Sequence, residues 1–392
     1  MNRNFTYYNA QHLIFGNGCL QRLATLPMPG KRAMIVTTPD RRYIDRVQAL
    51  LAENNVESIV YDQNSINPCT STIREGAVFA AEHAVDFLIS VGGGASTDTA
   101  KGIAVLMKNG TDHDIWDYVP YYEGHRTPDK GAAPLIVIST TSGTGSEANP
   151  SAVISNEETS VKLDVAYSCM YPLYSIVDPE LQVSVPKFWT AVTGMDVIFH
   201  CAESYLDQFH TPYTDMVNIE GLRYAAKALP AAYREPANLE ARANMAIASN
   251  LAGIGESMAD LISLHAMAHT LGSLHHSIPH GVALSLLAEE AFRHYCTYPV
   301  ETRSRLAYMA GVVGYGDQPE DFVRFIADML KTVDLYDIDF RQYGIDPARS
   351  REYAEHAVEK IAPYMDKDEQ PVTADMAERI FYNSLTKNNR NK

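Results

Sequence analysis

The chain has 392 residues, 46% of them hydrophobic and 20% charged, more than one hydrophobic core ordinarily organises, so two domains of about 150 to 200 residues each are expected. Its 32 Lys and Arg against 48 Asp and Glu leave a formal charge of -16, which repels a polyphosphate and argues against nucleic acid as a partner. The five cysteines are scattered, odd in number and without CxxC spacing, and the chain shows neither a signal-peptide h-region nor an apolar run of about eighteen residues; no disulfide framework, thiolate zinc site or membrane span is expected, and a reducing cytoplasm is the simplest compartment.

Residues 33–37 (AMIVT), 58–61 (SIVY), 87–91 (FLISV) and 134–139 (PLIVIS) are short apolar runs that read as buried strands, with 176–178 as a last strand. Residues 43–54 and 72–83 between them carry helical periodicity and read as crossover helices. The alternation predicts an α/β domain with a parallel sheet over residues 1–183. From Pro186, suited to the first turn of a helix, apolar residues recur at three- and four-residue spacing to the end, which predicts an all-α domain over residues 184–392.

The third strand runs into Gly92, Gly93, Gly94, Ala95, Ser96, Thr97 and Asp98, followed by residues compatible with a helix through Met107. A strand, a glycine turn and a helix N-terminus converge unpaired N–H groups and the positive end of a helix dipole on one point, which suits a pyrophosphate. The spacing is not GxGxxG, and a tight turn alone would also use these glycines. After the strand at 134–139 comes a second small, hydroxyl-rich loop, with Thr140, Thr141, Ser142, Gly143, Thr144, Gly145, Ser146 and Glu147. Ligands of open α/β sheets bind outside the carboxyl ends of the strands, so the two loops together point to a dinucleotide.

In the helical half, Asp196 and His200 stand four residues apart, as do His265 and His269, so each pair projects from one helix face. His280 follows a short connection, and five of the chain's 13 histidines (His265, His269, His275, His276, His280) crowd this stretch. A single histidine is more often packed than ligating. Two such pairs in apolar surroundings, where a lone carboxylate is costly, point instead to a divalent cation. Nitrogen and oxygen donors without sulfur suit Fe(II) or Zn(II) and disfavour Mg or Ca.

These motifs, in this order, resemble the iron-containing, or group III, alcohol dehydrogenases, related more distantly to glycerol dehydrogenase and dehydroquinate synthase. The resemblance runs from Phe15, Gly16, Asn17 and Gly18, through the glycine turn with Asp98 and Lys101 and the loop at 140–147, to the segments 194–200, 265–272 and 279–281. It implies a dehydroquinate synthase-like fold with a dinucleotide-binding domain, a helical domain and a cleft holding metal and nicotinamide. It implies Asp196, His200, His265 and His280 as metal ligands, with His269 beside metal and substrate as the group that relays a proton or orients the alcohol. It implies Thr38, Gly93, Gly94, Ala95, Asp98, Thr140, Thr141, Thr144, Ser151, Lys162 and Leu181 as residues lining the cofactor site.

The chain departs from the family pattern in three places. Ala95 stands where a serine is usual, with Ser96 next to it as a substitute hydroxyl, and Thr270 replaces a proline. Where NAD-preferring relatives carry an aspartate this chain has Thr38, followed by Asp40, Arg41 and Arg42; NAD(H) is favoured over NADP(H), while the residues do not decide between Fe(II), the family's metal, and Zn(II) as its alternative. The expected activity is reversible hydride transfer between nicotinamide and a small alcohol or aldehyde, including ones bearing an acidic group, in a homodimer or larger homo-oligomer. The alternatives are a non-redox, NAD- and metal-dependent lyase or cyclase of the dehydroquinate synthase kind, and a binding protein that kept the fold without the chemistry.

Overall fold

The computed structural model describes residues 4–64 and 66–387. It contains two compact units, Tyr8–Val185 and Pro186–Lys392, the second also taking the residues up to Tyr7. The division falls at 185/186, against an expectation of 183/184, because the segment after the sheet is still tied to the first unit. Arg42 Nη1 donates to Ser184 O at 3.0 Å and Tyr43 OH donates to Leu181 O at 2.6 Å. At the other end, the Tyr7 ring packs against Tyr213 with centroids 4.4 Å apart, which attaches the N-terminal segment to the helical unit.

The first unit contains β1 (Leu13–Phe15), β2 (Arg32–Val36), α1 (Ile44–Glu53), β3 (Glu57–Tyr61), α2 (Thr70–Glu82), β4 (Phe87–Gly92), α3 (Gly94–Asn109), β5 (Leu135–Ser139), β6 (Ser151–Asn156), β7 (Val161–Ala166) and β8 (Tyr174–Val177). Six strands form a parallel sheet in the order β1-β8-β5-β4-β2-β3. Residues of β2, β4 and β5 are buried nearly throughout, as apolar runs sandwiched by helices must be. The chain leaves β2 toward β3 and returns on the other side of β2 as β4, so the sheet's switch point lies beyond the carboxyl ends of β2 and β4.

Three strands of this unit were not expected. β1 has only three residues, too few for a periodic signal. β6 and β7 form an antiparallel hairpin outside the main sheet, with Ser155 opposite Lys162 and Val153 opposite Asp164. Its strands mix apolar positions with Lys162 and Asp164 and lack the unbroken apolar runs that mark the main sheet.

The second unit is helical among the described residues, beginning with α4 (Lys187–Leu206), α5 (Pro212–Arg234), α6 (Leu239–Glu256), α7 (Ser263–Leu274) and α8 (His280–Tyr295). Pro186 is the residue preceding the first helical turn of α4, one position earlier than expected. α4 is buried almost all round from Thr190 to Leu206, the mark of a helix at the centre of its bundle. α5 starts with a reciprocal Thr211–Thr214 capping box.

α8 leans directly on α4: a Cβ placed on Gly281 would lie 2.3 Å from the backbone oxygen of Val192. Backbone cannot yield as a flexible side chain can. Gly281→Ala therefore forces α8 away from α4 at the residue next to His280, with an expected loss of about 1–3 kcal/mol of stability. Chemical denaturation of the metal-free protein measures this; an unchanged midpoint would contradict the close helix contact.

Candidate metal centre

α4 supplies Asp196 and His200, α7 supplies His265 and His269, and α8 begins with His280. One ligand atom each from Asp196, His265 and His280 lie within 4.8 Å of one another. From Asp196 Oδ1 the distances are 3.8 Å to His265 Nε2 and 3.7 Å to His280 Nε2. Atoms that share a tetrahedral ion at about 2.1 Å stand about 3.4 Å apart, so the three are spaced nearly as ligands are. His200 lies outside this triplet but beside it, with its ring centroid 4.7 Å from that of His265 and its Nδ1 3.5 Å from Asp196 Oδ1.

The imidazoles are held by their other nitrogens. His200 Nδ1 donates to its own helix at Asp196 O, 2.9 Å away, which leaves Nε2 as the acceptor edge. His265 Nδ1 meets Glu203 Oε1 at 2.6 Å. Asp196 Oδ1 and His265 Nε2 are buried and have no hydrogen-bond partner among the described residues. Two buried polar atoms facing each other without a shared hydrogen bond are costly unless a cation lies between them. Fe(II) and Zn(II) fit this nitrogen and oxygen set.

The charges follow from the same packing. Burial would raise the Asp196 carboxyl, but His200, His265 and His280 overcome it and hold it well below the usual carboxylate range. Burial lowers His200 to about 4 despite the pull of Asp196, so it is neutral near pH 7. Burial acts to lower His265 as well, yet Glu203 and Asp196 raise it to about 9.

His269 is buried one turn beyond His265, its centroid 6.0 Å from His265, 5.1 Å from His280 and 5.3 Å from Tyr364. His275 and His276 do not join the cluster: His275 Nε2 pairs with Tyr353 OH at 3.0 Å and His276 is exposed. The sequence reading missed Glu203 and Glu256, whose Oε2 lies 3.9 Å from His200 Nε2. Glu203 had a local signal, since it sits seven residues after Asp196 and three after His200 on the same helix. Glu256 ends a separate helix and had none.

In the first unit the two expected loops meet. A Cβ on Gly93 would lie 2.6 Å from Thr141 Oγ1, and one on Gly94 would lie 2.6 Å from Thr144 Cγ2, so the turn admits only glycine beside that loop. Gly93 precedes α3 without a side-chain cap, which leaves the helix's first N–H groups for an anion. Ala95 is in the same first turn, Thr140 follows β5, and Thr38 follows β2 at the switch point. Thr37 Oγ1 donates to Val91 O at 2.8 Å and joins the two strand ends.

Other expected cofactor residues are engaged differently. Asp98 is buried and accepts from Ser146 Oγ at 2.6 Å and from Val153 N at 3.1 Å, so both of its oxygens brace the scaffold. Leu181 packs in the core cluster that includes Ile35, Val47, Ile89 and Ile138, so its side chain does not line an open site. Ser96 is buried and takes a hydrogen bond from Asn64, which removes it as a replacement for the missing serine hydroxyl at Ala95. Ser151 and Lys162 lie on the unforeseen hairpin, Ser151 Oγ 3.5 Å from Asp164 and Lys162 Nζ 3.3 Å from Asn67.

Residues 10–179 match the family model described as iron-containing alcohol dehydrogenase, and residues 190–382 match that of the Fe-containing alcohol dehydrogenase family, C-terminal. The chain belongs to the iron-containing alcohol dehydrogenases. It is 32% identical over 350 residues to alcohol dehydrogenase 4 of Saccharomyces cerevisiae, covering 88% of this chain and 89% of the yeast protein. It is 36% identical over 271 residues to 1,3-propanediol dehydrogenase of Klebsiella pneumoniae, 68% of each chain. The solved structure of the alcohol dehydrogenase ADH/D1, from an archaeal halo-thermophilic source in a Red Sea brine pool, superposes with a TM-score of 0.91 at 26% identity over 98% of this chain and 100% of that one.

The fold is accordingly dehydroquinate synthase-like, and the chain is an oxidoreductase acting on CH–OH with an NAD-type cofactor and an iron-type site. Its substrates are small alcohols or aldehydes, and the relatives support a dehydrogenase rather than a lyase or cyclase. No helix among the described residues is long and apolar enough to cross a membrane.

A metal held at this centre would have to displace a proton. With His265 raised to about 9, its imidazole is protonated at pH 7.5 in the metal-free protein, whereas Asp196 is already ionised and His200 already neutral. Metal uptake at pH 7.5 should release about one proton, and affinity should climb as pH rises from about 6.5 toward 9. Phenol-red absorbance during Zn(II) titration in weak buffer reads this directly; uptake without proton release would contradict it.

Proposed function

We propose that Asp196, His200, His265 and His280 hold one Fe(II) ion, with Zn(II) as the alternative occupant, and that this ion serves reversible hydride exchange between NAD(H) and a small alcohol or aldehyde. The observation that carries the reading is the buried, hydrogen-bond-poor edge shared by Asp196 Oδ1 and His265 Nε2. When bound, the ion supplies Lewis acidity at the substrate oxygen and the nicotinamide gives or takes the hydride.

The protein's own part is positioning and proton handling. Of the four side chains that would hold the ion, Asp196 would be the one carrying a charge, with Glu203 a second carboxylate behind His265. His269, five to six ångströms from the His265 and His280 rings, takes the alcohol proton or orders the water that does. Gly93, Gly94 and Ala95 at the start of α3 cradle the pyrophosphate, with Thr140, Thr141 and Thr144 on the facing loop. Thr38, Ser151 and Lys162 complete the cofactor site, Asp98 acts by bracing it, and Leu181 acts through its packing in the core.

The preference for NAD(H) over NADP(H) is supported by how the arginines after β2 are spent. Arg41 Nε donates to Asp62 at 2.8 Å, and Arg42 donates to Asp40 at 3.1 Å and to Ser184 O at 3.0 Å. Each guanidinium already holds a carboxylate, and Asp40 and Asp62 beside them would repel a 2′-phosphate. The protein works in the cytoplasm as a homodimer or larger homo-oligomer, in keeping with its scattered free cysteines.

The test is an anaerobic screen of small aldehydes, neutral and acidic, against NADH and NADPH at 340 nm after Fe(II) or Zn(II) loading. The expected outcome is stoichiometric NADH oxidation with NADH preferred, abolished in His265→Ala while NADH binding, read by fluorescence, persists. Full turnover in metal-stripped His265→Ala would remove the metal centre from the mechanism.

A further inference from the structure

α7 begins where the sequence offers it no cap. Ile262 precedes its first turn and has no polar side chain, so the N–H groups that open a helix need outside partners. Two buried carboxylates from distant parts of the chain supply them. Glu203 Oε2 on α4 accepts from Ile262 N and His265 N, each at 3.2 Å, and Asp368 Oδ2 accepts from Ser263 N at 3.0 Å. The other oxygen of Asp368 takes Ser263 Oγ at 2.9 Å and Tyr298 OH at 3.2 Å, and neither bond involves the His265 ring.

Glu203 does more. Its side chain is fully buried, and its second oxygen, Oε1, meets the ring of His265 at Nδ1, 2.6 Å away. One carboxylate thus grips His265 by the backbone and by the ring, two constraints that fix both position and rotation. A proton kept on Nδ1 leaves Nε2 with the ring's only available lone pair, and Nε2 is the atom 3.8 Å from Asp196 Oδ1. Glu203 also shares α4 with Asp196 and His200, so a single helix carries all three side chains.

We propose that Glu203 is a positioning residue for the metal, orienting His265 through Nδ1 so that Nε2 binds the ion, and is not merely the cap of α7. The proposal rests on the reading of His265 as a ligand. A carboxylate behind a ligating imidazole orders the ring and makes it a better donor, and losing such a partner typically weakens metal affinity by about 10–100-fold.

The experiment measures Zn(II) alone binding to the full-length, metal-stripped protein by chelator competition, with the Co(II) d–d spectrum as a second readout. The chains compared are wild type, Glu203→Gln, Asp368→Asn and His265→Ala. Glu203→Gln should weaken Zn(II) by about 10–100-fold and alter the Co(II) spectrum while NADH binding is retained. Asp368→Asn, which loosens the same helix end without touching the His265 ring, should lower the melting temperature yet leave Zn(II) affinity near that of wild type. Folded Glu203→Gln with wild-type affinity, or equal losses in Glu203→Gln and Asp368→Asn, would overturn the proposal. If Glu203→Gln does not fold, 15N NMR of the Zn(II)-loaded wild type decides, since a His265 ring without a proton on Nδ1 overturns it and one with Nδ1–H supports it. Failure of the underlying metal reading looks different: His265→Ala would then bind Zn(II) as tightly as wild type.

Discussion

The helical unit is organised around one electrostatic problem, a carboxylate buried among imidazoles. Asp196 sits on a helix buried almost throughout from Thr190 onward, ionised despite its burial, with Oδ1 near His265 and His280 and no hydrogen-bond partner among the described residues. Such a group is strongly destabilising in an apolar interior unless a cation is present. α4, α7 and α8 each deliver a side chain to that point, and the glycine contact between α8 and α4 lets them come close enough to do so.

The α/β unit solves a different problem, leaving the N-terminus of α3 without a side-chain cap while the loops around it are fastened. The fastening comes from α3 itself. Lys101 is fully buried and its ammonium lies within hydrogen-bond distance of Ser146 O, Ser146 Oγ, Asn149 Oδ1 and Ser151 O, while Asp98 one turn earlier accepts from Ser146 Oγ and Val153 N. The same helix therefore presents its N–H groups at one end and fastens the neighbouring loop and hairpin with side chains from its first two turns. Such fixed donors around a bound ligand are what preorganisation requires.

Whatever repeats within a few residues was legible in the sequence. The buried strands follow from unbroken apolar runs, the glycine turn from its composition, and the pairs Asp196 with His200 and His265 with His269 from the helical period of 3.6. What depends on tertiary placement was not. Leu181 matched the family's cofactor pattern but is absorbed by the core, Ser96 turns inward to Asn64, and Asp98 spends its charge on the scaffold. Asp368 reaches α7 from more than a hundred residues away, and Glu256 approaches His200 from the end of another helix, so neither spacing nor composition marks them. Glu203 is the intermediate case, visible on the helical face of Asp196 and His200 but meaningful only once α7 is seen to start beside it.

The measurement that bears most directly on this account is anomalous diffraction from crystals of the metal-loaded protein, recorded at the iron or zinc absorption edge. The account predicts a single strong peak about 2.0–2.2 Å from Asp196 Oδ1 and from the Nε2 atoms of His200, His265 and His280, with no sulfur ligand. A peak elsewhere in the molecule, with these four side chains left uncoordinated, would contradict it.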